Sequence, residues 1–254
     1  MTVLRMLIVC VLMAFPGAIA AQAGESDADM RDTTSPEREQ HADWTRLLGK
    51  YVRASEDGVN RVEYAALKAN QADRAALDVY IASFANMDLS GSGEAEFAAW
   101  ANLYNAITVR YIVEKYPLES IRDGYLFSGP WKKIRVIADG REVSLDTIEH
   151  NVLRSRFSDP RVHYAINCAS YSCPNLLTHA WEAETLNNDL DAAAKSYVNH
   201  LRGVDPGPKG LTVSTIYDWF EEDFGGSKSA VIDHLLKYAD PGLAEEIRAN
   251  PKIR

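Results

Sequence analysis

The sequence predicts an α+β protein: a single helix-rich domain with a small, mostly antiparallel sheet. Three observations lead to this class. Apolar residues recur at helical spacing over several long segments, short strand-like runs lie between those segments, and one pair of runs flanks an Asp139-Gly140 turn. The chain shows no internal repeat, and 46% of its residues are hydrophobic. This interspersed pattern is typical of one α+β domain.

The clearest helix lies in "LSGSGEAEFAAWANLYNAITVRYIVEKYP", residues 89–117. Glu94 and Glu96 suit the positive N-terminal end of a helix, and Pro117 ends it. Its apolar stripe is wide enough for a buried helix. Weaker helical patterns cover residues 41–54, 65–86, 145–154, 180–201 and the region that begins at 215.

Four short runs have the composition of strands. "KKIRVIADGREVSL" predicts a hairpin, because apolar residues alternate on both sides of its Asp-Gly turn. "RVHYAI" predicts a strand that leads directly into a cysteine-containing segment. The remaining strand predictions are "VNRVEY" and "LTVS", and "GVDPGPKG" between residues 203 and 210 predicts a rigid loop.

Residues 1–20 have the features of a secretory signal peptide. Arg5 precedes a short apolar run, and small residues in A-x-A spacing follow at Ala18 and Ala20. Residues 21–40 are acidic and nearly free of large apolar groups, which predicts a flexible linker before a domain at 41–254. We therefore expect a periplasmic or extracellular protein with no transmembrane segment in the mature chain.

The charge of the chain limits its partners. The net charge is −9, and basic residues do not gather into a patch. A protein of this kind is a poor match for the phosphate backbone of nucleic acids, so no nucleic-acid partner is expected. The "GSG" at residues 91–93 lacks the preceding strand that a phosphate-binding loop requires. No cofactor is expected.

The segment "INCASYSCPNL", residues 166–176, holds Cys168 and Cys173, the two cysteines outside the signal peptide. An even number of cysteines in an exported protein favours a disulfide. A bridge over four residues would staple a loop and stabilise the fold only slightly. Together with His163 and His179 the cysteines also supply zinc-type ligands, but the spacing matches no common zinc pattern, and no metal is expected.

A thiol nucleophile is the other interpretation. Cys173 precedes Pro174, and at the start of a helical turn the backbone N–H groups would favour its thiolate. His163 and His150 are candidate bases, and Asn105 is a candidate for orienting an imidazole or stabilising an oxyanion. Cys173 is preferred to Cys168, because a regular strand would point His163 and Cys168 to opposite faces.

Each of these residues also has a structural interpretation. Asn105 can form a hydrogen bond between elements, and His150 can simply pack or cap near the end of its helix. Asp218 and Asp223 can orient a histidine, although an exposed acidic face is the simpler interpretation. Trp219 is predicted to belong to the core.

Four segments carry a resemblance to a known family. They are "FAAWANLYNAITV", "VSLDTIEHNVLR", "DPRVHYAINCASYSCPNL" and "LTVSTIYDWFEEDF", and they span Phe97 to Phe224 in order. Together they resemble the domain of unknown function 547 family, which implies no particular activity.

The sequence therefore supports two hypotheses. The first is an exported cysteine-dependent hydrolase or acyl/amide transferase that acts on a small molecule or a peptide. The alternative is a non-enzymatic envelope protein that binds or scaffolds a protein partner, with a Cys168–Cys173 disulfide in a loop.

Overall fold

Helix α4 (Glu94–Lys115) organises the packing of the protein. In this computed structural model, which describes residues 36–125 and 129–254, every residue from 97 to 109 is buried. The apolar stripe predicted from the sequence is therefore part of a helix that is covered on all sides. The side chain of Glu96 caps the helix by accepting a hydrogen bond from the backbone N–H of Gly93 (3.0 Å).

The elements before α4 cover one side of it. They are α1 (Pro36–Tyr51), β1 (Val52–Arg53), β2 (Arg61–Val62), α2 (Tyr64–Ala69), α3 (Gln71–Ser83) and a 3₁₀ turn (Phe84–Asn86). After α4 come β3 (Arg135–Ala138), β4 (Arg141–Ser144), a π-helix (Thr147–Phe157) and α5 (Val162–Ala165). The π-helix packs against another side of α4.

The C-terminal elements build a second hydrophobic core. They are α6 (Leu186–Val198), β5 (Val204–Gly207), β6 (Gly210–Val213), α7 (Ile216–Trp219), α8 (Lys228–Tyr238) and α9 (Pro241–Ala249). The first core surrounds α4 and includes Val162, Ala165 and Ile166. The second core includes Tyr164 and Phe224. Helix α5 thus contributes neighbouring side chains to both cores.

The predicted α+β class is confirmed. The strands of the described residues form separate antiparallel pairs, β1–β2, β3–β4 and β5–β6. The Asp139-Gly140 hairpin is as predicted, with Ala138 opposite Arg141. The loop predicted at 203–210 is only partly a loop, because Val204–Gly207 form β5, which pairs with β6 and places Pro206 opposite Leu211.

"RVHYAI" is a helical turn, so the strand prediction is wrong. Asp159 sets this turn because its carboxylate accepts from the backbone N–H of Arg161 (2.8 Å) and its carbonyl accepts from Val162 (3.1 Å). Residues 162–166 are all buried, so their apolar composition reflects burial on every side. The helix predicted at 145–154 is present and begins at residue 145, but from Thr147 to Phe157 it is a π-helix and it ends three residues later than predicted.

The structure describes only the end of the N-terminal region for which the sequence makes predictions. The predicted signal peptide and most of the acidic linker lie outside the described residues. Residues 36–40, the end of that linker, are the first turn of α1 rather than flexible chain. Glu37 accepts a hydrogen bond from the backbone of Ala183 (2.9 Å), and Arg38 forms ion pairs with Glu182 and Glu184 (both 3.0 Å). Among the described helices, none combines the length and the apolar character that crossing a bilayer requires.

A buried histidine in α1 predicts how stability depends on pH. His41 has no exposed surface, its Nδ1 lies 2.8 Å from the hydroxyl of Tyr80, and its Nε2 has no hydrogen-bond partner among the described residues. Burial lowers the pKa of His41 to about 4. In the unfolded chain a histidine titrates near 6.5, so between these values the unfolded state binds more protons. The free energy of unfolding should therefore fall as the pH drops from about 6.5 to about 4.

Between pH 7 and pH 4.5, we expect the decrease in the free energy of unfolding to be about 2 kcal/mol smaller in His41→Gln than in the wild type. Urea denaturation at the two pH values measures it, with His179→Gln at a half-exposed site as the control. An equal loss in H41Q and the wild type would exclude His41 as the source.

Candidate functional site

A cavity of about 410 Å³ opens between α4, the π-helix, α5 and α7. Its walls combine titratable, aromatic and sulfur-containing side chains. They include Tyr104, Arg122, Trp131, Asp146, Glu149, His150, His163, Cys168, Cys173, Trp219 and Phe220. The cavity thus brings together all four segments singled out in the sequence, those around residues 104, 149, 163–173 and 215–220.

Cys168 and Cys173 form a disulfide in the wall of this cavity, with their Cα atoms 6.2 Å apart. Cys168 and Cys173 are thus joined, as the disulfide interpretation of this segment predicts, and neither of the two carries a free thiol in the structure described. The helical turn considered at Pro174 is not formed, because residues 174–177 belong to neither a helix nor a turn. The side chain of Asn167 holds this stretch by donating to the carbonyl of Pro174 (2.6 Å).

His163 and Asp223 form a hydrogen-bonded carboxylate–imidazole pair at the cavity. His163 Nε2 lies 2.6 Å from Asp223 Oδ2, and the ring stacks on Phe220 with 4.2 Å between centroids. The side chain is 2% exposed. Because an ionised Asp223 accepts from Nε2–H, the neutral imidazole keeps its basic lone pair on Nδ1.

Arg154 fixes the charge of this pair. Its Nε and Nη2 donate to the two oxygens of Asp223, at 2.5 and 3.0 Å. Burial raises the pKa of Asp223, but the hydrogen bonds from His163 and Arg154 outweigh it and hold that pKa well below its usual range. Asp223 is thus ionised at neutral pH.

His150 also borders the cavity, beside Arg154. Its Nδ1 accepts from Nη1 of that arginine (2.9 Å), and its Nε2 lies 3.8 Å from Asp146. Its ring lies tilted to that of Phe220, with 6.1 Å between centroids. The π-helix therefore presents His150 to the site, in contact with the arginine that binds Asp223.

Asn105 does not border the cavity. Its Nδ2 donates to the carbonyl of Ala165 (2.9 Å), and its Oδ1 accepts from the backbone N–H of Asn167 (2.8 Å). The expected role as oxyanion or imidazole partner is therefore not what the structure gives. Asn105 instead fastens the segment after α5 to α4, which matches its structural interpretation.

Sequence reasoning missed part of the site. Glu149 accepts from the hydroxyl of Tyr104 (3.1 Å), and burial raises the pKa of Tyr104 well above its ordinary value. Tyr104 lies in the segment "FAAWANLYNAITV" and Glu149 in "VSLDTIEHNVLR", but the sequence predicted only Asn105 and His150 from these segments as site residues. Trp219 was predicted to be in the core and is 69% exposed at the cavity. Asp223 was named only as one option for orienting a histidine.

The cysteine loop, residues 167–174, is also held from outside the cavity. Tyr197 donates to the carbonyl of Ser172 (2.5 Å). Arg202 donates through Nη1 to the carbonyls of Tyr171 (3.1 Å) and Cys173 (2.9 Å). These bonds engage the backbone of the loop and do not involve the sulfur atoms.

A second cavity, of about 370 Å³, is lined by His179, Asp189, Tyr197 and Arg202. It holds neither sulfur atom nor the His163–Asp223 pair, so the first cavity is the stronger candidate. His179 and His163 thus border different cavities, and the four zinc-type ligands weighed from the sequence do not converge. Within the ranges 36–125 and 129–254, no group of three or more His, Cys, Asp or Glu residues is placed to hold a metal ion.

Fold and site together define a helix-rich α+β protein in which a carboxylate–imidazole pair and a disulfide share one cavity. A family model described as "Protein of unknown function, DUF547" matches residues 89–198 and confirms the resemblance over that range. The match includes His163 and both cysteines, whereas Asp223 lies beyond it. No curated protein and no solved structure matches the chain.

Proposed function

We propose that this protein is a thiol-dependent hydrolase or acyl/amide transferase that becomes active when the Cys168–Cys173 disulfide is reduced. One observation carries the proposal: His163, paired with Asp223, borders the same cavity as both sulfur atoms. A nucleophile, a base and a group that orients the base are the parts that covalent acyl transfer requires.

Each residue has a defined role in this proposal. His163 Nδ1 takes the proton of the Cys173 thiol, and the thiolate attacks the carbonyl carbon of the substrate. The imidazolium then gives its proton to the departing amine or alcohol, which leaves an acyl group on sulfur. Water or an acceptor attacks that thioester and restores the thiol. Asp223 holds the imidazole in one orientation and stabilises its charged form.

The surroundings are compatible with a small-molecule or peptide substrate. A cavity of about 410 Å³ is within the usual size of a small-ligand site. Trp131, Phe220 and Trp219 supply apolar contact area, and Ser170, Ser172 and Thr215 supply hydrogen-bonding groups. We further propose that the protein works in the periplasm or outside the cell, where a disulfide is the expected resting form.

Single-cysteine variants test the proposal. Cys168→Ser leaves Cys173 free, so this variant should hydrolyse an activated ester such as p-nitrophenyl acetate without reductant. Wild-type protein should need prior reduction. Cys173→Ser should be at least about tenfold slower than Cys168→Ser, because its remaining thiol is the one not assigned as nucleophile.

The control is His179→Gln in the Cys168→Ser background, since His179 borders the second cavity. This control should keep full ester hydrolysis. Equal rates in the two single-cysteine variants, or no burst of product from either, would contradict the proposal.

A second candidate is a non-enzymatic envelope binding or scaffold protein. Two observations favour it: the cysteines are joined, and Trp219 is 69% exposed at the cavity, where a partner can cover it. In this case His163→Gln should bind an envelope partner as well as the wild type does, whereas Trp219→Ala should weaken that binding. Pull-down from an envelope extract, with both variants compared, measures the difference.

A further inference from the structure

The two sulfur-bearing residues of the cavity are not equally accessible. Cys173 is 7% exposed, whereas Cys168 is only half-buried, and both border the cavity. Thiol–disulfide exchange begins when a thiolate reaches one sulfur of a disulfide, so accessibility decides which sulfur is attacked. The structure directs an incoming thiolate to Cys168.

The cysteine loop does not rely on its disulfide to keep its shape. Asn167 donates to the carbonyl of Pro174 (2.6 Å) and accepts through its side chain from the backbone N–H of Ala169 (2.8 Å). The backbone N–H of Cys173 donates to the carbonyl of Ser170 (3.0 Å). None of these bonds is lost when the S–S bond breaks.

The same holds for the contacts from outside the loop. Tyr197 binds the carbonyl of Ser172, and Arg202 binds the carbonyl of Cys173, both through backbone oxygens. A disulfide that closes so short a loop also restricts the unfolded chain little. These hydrogen bonds involve no sulfur atom, so we expect the loop to keep its shape when the bridge opens.

We propose that the site has a second activity, thiol–disulfide exchange with an external dithiol. A thiolate of the dithiol attacks Sγ of Cys168, a new S–S bond forms between them, and the Cys168–Cys173 bond breaks. The electron pair leaves on Sγ of Cys173, in the cavity that His163 borders. The second thiol of the dithiol loses its proton and attacks the first sulfur of the dithiol, which is bonded to Cys168. The dithiol thereby becomes a disulfide, and Cys168 is released as thiolate.

The exchange conserves electrons and protons. The dithiol loses two electrons and becomes a disulfide, and the protein gains them as two thiols, with the two protons passing from the dithiol to the cysteines. The exchange needs no acyl-transfer activity, although it yields the free Cys173 on which the proposed function rests. The dithiol is the co-reactant, either a small molecule or a protein that carries two neighbouring thiols.

Mapping of a mixed disulfide tests the direction of attack. The oxidised full chain is mixed with the monothiol glutathione, quenched in acid at short times, digested and mapped by mass spectrometry. We expect the adduct on Cys168 to exceed that on Cys173 by about tenfold, because Cys168 is the accessible sulfur. An adduct mainly on Cys173, or no reaction until the protein is denatured, would overturn the proposal.

Single-cysteine variants provide a second measurement for the case in which the wild-type adduct is short-lived. When each variant is first converted to its glutathione mixed disulfide, dithiothreitol should reduce the adduct on Cys168 in Cys173→Ser about tenfold faster than the adduct on Cys173 in Cys168→Ser, because Cys168 is the more accessible sulfur. Equal rates would contradict the assignment. Circular dichroism should be the same for both variants and the wild type, and a loss of fold on removing either cysteine would show that the bridge is a structural staple.

These measurements do not use an ester, so the two proposals fail separately. Adducts on Cys168 without ester hydrolysis support exchange and remove the hydrolase. Ester hydrolysis by Cys168→Ser, with glutathione adducts on Cys173, removes the exchange mechanism and keeps the hydrolase.

Discussion

Asp223→Asn is expected to lower kcat/KM for ester hydrolysis by about 100-fold when it is made in the Cys168→Ser background. The amide can donate to Nε2 where the carboxylate accepts from it, so the imidazole loses the tautomer that leaves Nδ1 basic. It also loses the negative charge that stabilises the imidazolium. His163→Gln should have an effect at least as large, because it removes the base itself.

Asp218→Asn is the matched control for this prediction. Asp218 lies in α7, five residues before Asp223, and is exposed to solvent. Its replacement should leave kcat/KM unchanged. Asp223→Asn also weakens the ion pair with Arg154, so its fold must be checked by circular dichroism before the rates are compared. A folded Asp223→Asn variant with normal kcat/KM would remove Asp223 from the mechanism.

Asn102→Ala is expected to destabilise the protein by about 3 kcal/mol, since it removes the partner of both backbone groups of the buried Trp181. Asn105→Ala is expected to cost about 2 kcal/mol, because the carbonyl of Ala165 keeps the indole N–H of Trp181 as a donor (3.2 Å). Asn102 is fully buried, donates to the carbonyl of Trp181 (2.8 Å) and accepts from its N–H (2.9 Å). Asn105 binds Ala165 and Asn167 in the same two-sided way. Urea denaturation measures the change in the free energy of unfolding.

The two substitutions should differ in a second readout. Asn105 holds the entry to the cysteine loop, whereas Asn102 holds Trp181, which follows the loop by several residues. Asn105→Ala should therefore also change the rate at which glutathione reacts with Cys168, and Asn102→Ala should not. Asn151→Ala, at an exposed position of the π-helix, is the control for both. Stability like that of the control in either variant would show that these amides do not hold the segment.

Much of the fold could be predicted from local patterns. Helix α4 and the Asp139-Gly140 hairpin were predictable because periodicity and turn chemistry are local properties of the chain. The segment "RVHYAI" was not, since complete burial gives a helical turn the same apolar composition as a strand. The segment "FAAWANLYNAITV" carried part of the family resemblance. Its two asparagines, Asn105 and Asn102, bind segments about 60 and 79 residues away, and local sequence patterns do not predict such distant partners.

The sequence indicated His163 and the two cysteines as site residues, but it did not show that Asp223 contacts His163 or that Arg154 contacts Asp223. His163 and the cysteines lie within one short segment, so the sequence indicated them together. Asp223 is 60 residues further along, and only the tertiary fold, in which Phe220 stacks on the imidazole, brings its carboxylate to His163. Arg154 belongs to a π-helix, a geometry for which the sequence gives no usual signal.

The position of α5 between the two hydrophobic cores has a consequence for folding. Val162, Ala165 and Ile166 belong to the core around α4, whereas Phe224, next to Asp223, belongs to the C-terminal core. The hydrogen bond between His163 and Asp223 therefore depends on both cores, because the neighbours of His163 in sequence pack in the α4 core while its ring stacks on Phe220, which packs against the C-terminal core. A chain in which only the α4 core has formed holds the imidazole and both cysteines but lacks the carboxylate. Under the proposed mechanism, activity therefore requires that the elements from α6 onward have docked.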